Sequence, residues 1–136
     1  NAFITVTADR ALAAAHAADR ARSAGEAVSA LHGIPLSLKD LIDDAGLVTT
    51  AGSRVRRDAV AAADATITTR LRAAGAVLVG KTNLHEFAFG TTSEDSGYGA
   101  ARNPVDDSRV AGGSSGGSAI AVATGMSIAS GSTVWW

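Results

Sequence analysis

Two adjacent serines, Ser114 and Ser115, stand between two pairs of glycines, Gly112 and Gly113 before them and Gly116 and Gly117 after. Glycine reaches positive φ and lets the backbone approach a neighbour closely, so this run suits a turn that holds hydroxyls against another part of the molecule. A serine hydroxyl is a weak nucleophile until a base takes its proton. Lys39, which ends the apolar run GIPLSLK, is a candidate base, because desolvation at that place would lower its pKa and leave a neutral amine. Each feature also has a plainer reading: a Gly/Ser stretch can be a flexible linker, and a lysine at a strand tip can snorkel to solvent. His85 and Glu86 make a weaker metal or acid/base signal, since no second histidine stands at helical spacing, and His16 has no neighbour at ligand spacing. The chain has no cysteine, so thiolate nucleophiles, thiolate metal sites and disulfides are excluded.

These residues need elements to carry them. The alternation of Ile34, Leu36 and Leu38 predicts a strand over 34–38 with Lys39 at its end. Residues 8–24 are rich in strong helix formers and stop at Gly25; the groupings of Asp9 with Arg10, and of Asp19 with Arg20 and Arg22, read as a solvated face. A second helix is expected over 64–74, capped by Asp64 and ended by Gly75, leading into a β-branched strand over 76–80. Lys81, Asn83, His85 and Glu86 then fall just past a strand's C-terminal end, where α/β proteins commonly place functional groups. Ser118 is expected to cap a helix from Ala119 to about Gly125, with Ser114 and Ser115 just ahead of it and a strand over 126–130 behind. Strand, helix and strand in this order predict an α/β fold with parallel pairing.

At 136 residues and 46% hydrophobic, the chain is long enough for one modest core, but with 4% aromatics that core must come from close approach of small side chains. The net charge of −1 and the lack of a basic block argue against direct nucleic-acid binding and against attraction to an anionic membrane. The longest apolar stretch, near 119–130, is too short and too polar to span a bilayer, and the start shows no leader pattern, so a cytoplasmic protein is expected. The first residue is Asn1 rather than Met, which suggests a piece of something longer.

The phrases HGIPLSLKD (32–40), GAVLVGKTNLHEFAFG (75–90), RNPVDDSRVAGGSSGGSA (102–119) and AVATGM (121–126) together resemble the amidase signature family. Amidases share them with the A subunit of the glutamine-dependent aminoacyl-tRNA amidotransferase. The resemblance implies a mixed sheet covered by helices, incomplete here, and a serine, cis-serine, lysine triad that uses neither cofactor nor metal. Lys39 matches the family's lysine and Ser114 its bridging serine; Ser115 is a neighbouring hydrogen-bonding residue, and Gly112, Gly113, Gly116 and Gly117 form the supporting loop. The family's nucleophile closes a phrase of the type G(S/T)DTGGS. Gly131 and Ser132 match its start, but Thr133, Val134, Trp135 and Trp136 replace the rest, so the nucleophile is expected outside this chain.

The expectation is therefore that residues 1–136 are the N-terminal part of a single amidase signature domain, supplying base and bridge for attack on a small-molecule carboxamide. Alone, the segment is expected to be inactive and marginally stable, with residues 131–136 poorly ordered. The alternative within the class is the amidotransferase A subunit, which would bring partner subunits. From another class, the GGSSGG turn before a helix could be an anion-binding nest, although no G-x-x-x-x-G-K-[ST] lysine follows it.

Overall fold

The strand β2 (Pro35–Lys39) organises the described residues through its alternation. Successive side chains of a strand point to opposite faces. Leu36 and Leu38 are buried with Ile42, Ala76 and Leu78, and Leu31, Ile34, Ala65 and Leu71 pack on that cluster. Each leucine so buried contributes roughly 1.5–3 kcal/mol. Ser37 and Lys39 face the other way: Ser37 Oγ lies 3.0 Å from Ser127 Oγ, and both residues are fully buried.

A computed structural model of the chain describes residues 1–26 and 28–132. The elements run β1 (Phe3–Val6), α1 (Ala8–Ser23), β2, α2 (Thr66–Ala73), β3 (Val77–Thr82), α3 (Gly116–Ala123) and β4 (Ala129–Gly131), with short 3-10 turns at Arg54–Arg56 and Glu86–Ala88. The sheet order is β1-β3-β2-β4; β2 is parallel to β3 and β4, and β1 is antiparallel to β3. This is the expected α/β class, a mixed sheet flanked by helices. A second, smaller cluster of Ala2, Ala101, Ile120 and Ala121 seats α3 on the N-terminal segment. Its members are mostly alanine, as the shortage of aromatics requires. Phe89 and Val105 remain about nine-tenths exposed.

Several boundaries move, each for a traceable reason. β2 includes Lys39 itself, and β3 runs on through Lys81 and Thr82, because both tips keep pairing: Leu38 faces Lys81 and Lys39 faces Thr82 in the register. Lys81 is thus a buried strand residue, not a residue beyond the strand. Asp64 does not cap α2, whose N-cap is Ala65. The Asp64 carboxylate is taken instead by the Ala45 N–H at 2.7 Å and by Arg72 at 2.5 Å, which together hold it below the usual carboxylate range. Arg10 is likewise drawn off the face of α1 to Asp44, at 2.8 Å, where Arg72 also binds. The strand expected over 126–130 begins only at Ala129 and includes Gly131. Residues 133–136 lie outside the described residues.

Ser118 does not cap α3, which starts two residues earlier at Gly116. The free N–H groups of a first helical turn need partners, and here other segments supply them: Gly116 donates to Ser93 Oγ at 3.0 Å and Gly117 to the Asn83 carbonyl at 3.0 Å. Ser118 is released to bond into the sheet, 2.7 Å from Thr82 Oγ1 and 2.9 Å from Ser130 Oγ. Contact this close depends on Gly117, where a Cβ would collide with the backbone of Ala2 and Asn83. Gly117→Ala should therefore destabilise the protein by about 1–3 kcal/mol or more, the range for overpacking a filled site, read as a lower midpoint in denaturant unfolding.

Candidate active site

Lys39 ends β2 on the polar face of the sheet and has no exposed surface. Its Nζ donates to Ser114 Oγ at 2.7 Å, the contact expected from the sequence. Burial disfavours the ammonium and pushes the lysine pKa down to about 8. Ser114 sits in the loop before α3. Its carbonyl accepts from the His85 N–H at 3.0 Å, and the Gly113–Ser114 peptide is cis. Gly112 takes φ +79° where the loop turns toward the sheet, a conformation that side-chain-bearing residues rarely adopt. Gly113 and Gly116 are both backed by the Thr91–Ser93 segment; a Cβ on Gly116 would lie 2.6 Å from Ser93 Oγ. The glycine-serine run is thus a packed turn pressed between two neighbours, and the linker reading does not apply.

Ser115 departs from expectation. Its Oγ is buried with no hydrogen-bond partner among the described residues. It occupies the N-cap position of α3, but Ser93 and Asn83 already take the Gly116 and Gly117 N–H groups. Asn83 has a structural part: its amide donates to the Gly99 carbonyl at 2.8 Å, and its Oδ1 accepts from Leu84 N–H and Ser96 Oγ. His85 and Glu86 do not form a metal site; among the described residues no three His, Cys, Asp or Glu side chains gather to hold an ion. His16, on α1, belongs to no such group either.

Sequence reading placed Lys81 just past a strand and missed that it is a second buried lysine within β3. Lys81 Nζ lies 2.8 Å from Asp40 Oδ1, both side chains essentially without exposure. Asp40 Oδ2 accepts the Thr50 N–H at 3.0 Å and the Thr50 hydroxyl in a short bond, and Lys81 also donates to Thr49 Oγ1 at 3.2 Å. The signal was present in the sequence, since Asp40 follows Lys39 and Lys81 interrupts an otherwise apolar strand. What could not be read was that the register places Lys81 within reach of Asp40. The two lysines are thereby set apart: Lys81 faces a carboxylate and Lys39 faces a hydroxyl.

A family model described as Amidase matches residues 1–134. The chain belongs to the amidase family. Over 130 residues it is 49% identical to the glutamyl-tRNA(Gln) amidotransferase A subunit of Koribacter versatilis, covering 96% of this chain and 27% of that protein. Among solved structures it is similar to a protein of the vestigial complex that reveals the evolutionary origins of an s-triazine catabolic enzyme, with a TM-score of 0.88 and 48% identity over 92% of this chain and 28% of the other. It is also similar to the native peptide amidase of Stenotrophomonas maltophilia, with a TM-score of 0.82 and 42% identity over 92% of this chain and 26% of that one. The chain spans about a quarter of the length of the amidase-family relatives it matches.

Two measurements check this geometry. Removing the counter-charge of a buried pair leaves an uncompensated ion, so Asp40→Ala should lower stability by about 3–5 kcal/mol in chemical denaturation. The Lys39 pKa is lowered by folding from 10.5 to about 8. Between those values the unfolded chain binds more protons than the folded one, so the Lys39 contribution to stability should rise with pH across that window and be at its least favourable below pH 8. Lys39→Met should flatten that part of the stability-versus-pH curve.

Proposed function

We propose that these residues supply the base and the bridging hydroxyl of an amide hydrolase acting on small carboxamides, as the N-terminal part of a single amidase domain. The observation that carries the reading is the 2.7 Å contact between a buried Lys39 and Ser114. A lysine with a pKa of about 8 is partly neutral near pH 7 and can accept a proton. Ser114 Oγ passes its proton to Lys39 Nζ while taking one from the nucleophilic serine hydroxyl, which comes from sequence outside the described residues. The activated serine attacks the carboxamide carbonyl and the tetrahedral intermediate collapses. The proton returns through Ser114 to the departing ammonia or amine, and water then hydrolyses the acyl-enzyme. No cofactor is required by this scheme.

A second reading, the A subunit of a glutamine-dependent amidotransferase working with partner subunits, is favoured by the 49% identity to a protein of that name. In both readings Lys39 and Ser114 have the same roles. The anion-nest alternative is not supported, because the Gly116 and Gly117 N–H groups that an anion would need already have partners.

The test is ammonia release from a panel of primary carboxamides, glutamine included, by the full-length protein that carries this segment. Lys39→Met and Ser114→Ala should each reduce kcat/KM by about 10²–10⁴, the range for loss of a positioned proton-transfer group. Only neutral Lys39 serves as the base, so kcat/KM should climb with pH and level off above about 8. Turnover that survives Lys39→Met would rule the scheme out. Turnover of glutamine dependent on added partner proteins would select the amidotransferase reading.

A further inference from the structure

We infer that His85 is a positioning residue that grips the Ser114 turn from both ends, an inference that rests on the catalytic reading of Lys39 and Ser114. His85 directly follows Leu84 at the start of the loop after β3 and leads into the 3-10 turn. Its backbone N–H donates to the Ser114 carbonyl at 3.0 Å, fixing the residue that carries the bridging hydroxyl. Its side chain acts on the other end of the same turn. Imidazole Nδ1 accepts the Ser93 N–H at 3.2 Å. Ser93, fully buried and held at φ +58°, in turn accepts the Gly116 N–H on its Oγ at 3.0 Å. The Ser93 carbonyl accepts the Ala101 N–H at 2.9 Å, so Ser93 is fixed on both sides of its peptide.

The imidazole has little freedom to do anything else. Its side chain is 12% exposed, and the ring lies so near Gly90 that a Cβ at that position would overlap it. Since Nδ1 takes a backbone N–H, it carries no hydrogen; the proton is on Nε2, which faces Asp95 Oδ2 at 3.5 Å. Two successive residues after the histidine, Phe87 and Ala88, adopt φ of +52° and +58°, values that side-chain-bearing residues take at a cost. The loop accepts that cost while bending back to present Ser93 to the first turn of α3. Without the Nδ1 acceptor the Ser93 N–H loses its partner, and Ser93 holds Gly116, two residues from Ser114, less firmly. A small displacement of Ser114 relative to Lys39 is expensive, because misplacement of about 1 Å can reduce catalysis by about 10²-fold.

The experiment compares variants of the full-length protein, with ammonia release from a carboxamide as the readout. His85→Ala deletes the acceptor, whereas His85→Asn puts an amide oxygen where Nδ1 stood. The expected result is a fall in kcat of about 10- to 100-fold for His85→Ala, with KM within about threefold, and recovery to near the parent rate for His85→Asn. Should His85→Ala fail to fold, Ser93→Gly serves in its place: it removes the Oγ acceptor while relieving the positive φ, and it should show the same loss of kcat. Equal activity of the Ala and Asn variants, whether both unimpaired or both equally impaired, would overturn the inference, as would an unimpaired Ser93→Gly. Lys39→Met measured alongside separates the two levels. If it is inactive while His85→Ala matches the parent, only the positioning role fails; if it retains activity, the catalytic reading fails first.

Discussion

A lysine kept out of water and held against a serine hydroxyl is the constraint to which the rest of the described structure answers. Water must be excluded from Lys39 for burial to bring its pKa to about 8, and the hydroxyl must arrive at 2.7 Å from a segment 75 residues away in the chain. Both demands fall on the same face of β2. Alternation sends Leu36 and Leu38 into the apolar cluster and leaves Ser37 and Lys39 for the layer formed by α3 and its flanks. That layer can come close because glycines lie where it meets Ser93 and Asn83. A conventional helix cap from Ser118 is given up in exchange, and its hydroxyl joins Thr82 and Ser130 in tying α3 to β3 and β4.

Electrostatics separates the two buried lysines. An ion pair taken fully out of water is of doubtful net benefit to stability, so the Lys81–Asp40 pair is better understood by what it organises than by what it contributes. It joins β3 to the segment after β2, where Asp40 also fixes Thr50. Asp40 stands next to Lys39 in sequence, yet its carboxylate is committed to Lys81 and Thr50. Lys39, for its part, donates to the Ser114 hydroxyl at 2.7 Å.

How far the sequence revealed this depended on the range of the interaction. The strand carrying Lys39 was legible from alternation alone, and the importance of the glycine-serine run was legible from composition and from the family resemblance. The contact between Lys39 and Ser114 was expected because a proton relay requires it. Asp64 shows where local reasoning fails: it is a good N-cap residue at a reasonable place, but Ala45, 19 residues earlier, and Arg72, in the last turn of α2, take its carboxylate. The parts played by Ser93 and Asn83 in holding the first turn of α3 could not be read, since their partners Gly116 and Gly117 lie 23 and 34 residues further along. The Lys81–Asp40 pair required knowledge of the β2/β3 register, which no periodicity encodes.

Burial beside Ser114 brings the Lys39 pKa down toward neutrality. The most direct measurement is an NMR pH titration of the Lys39 Cε and Nζ resonances in the full-length protein, assigned by loss of the signal in Lys39→Met. A midpoint near 8 is the predicted result. A midpoint near 10.5, the value of an ordinary lysine, would contradict the account.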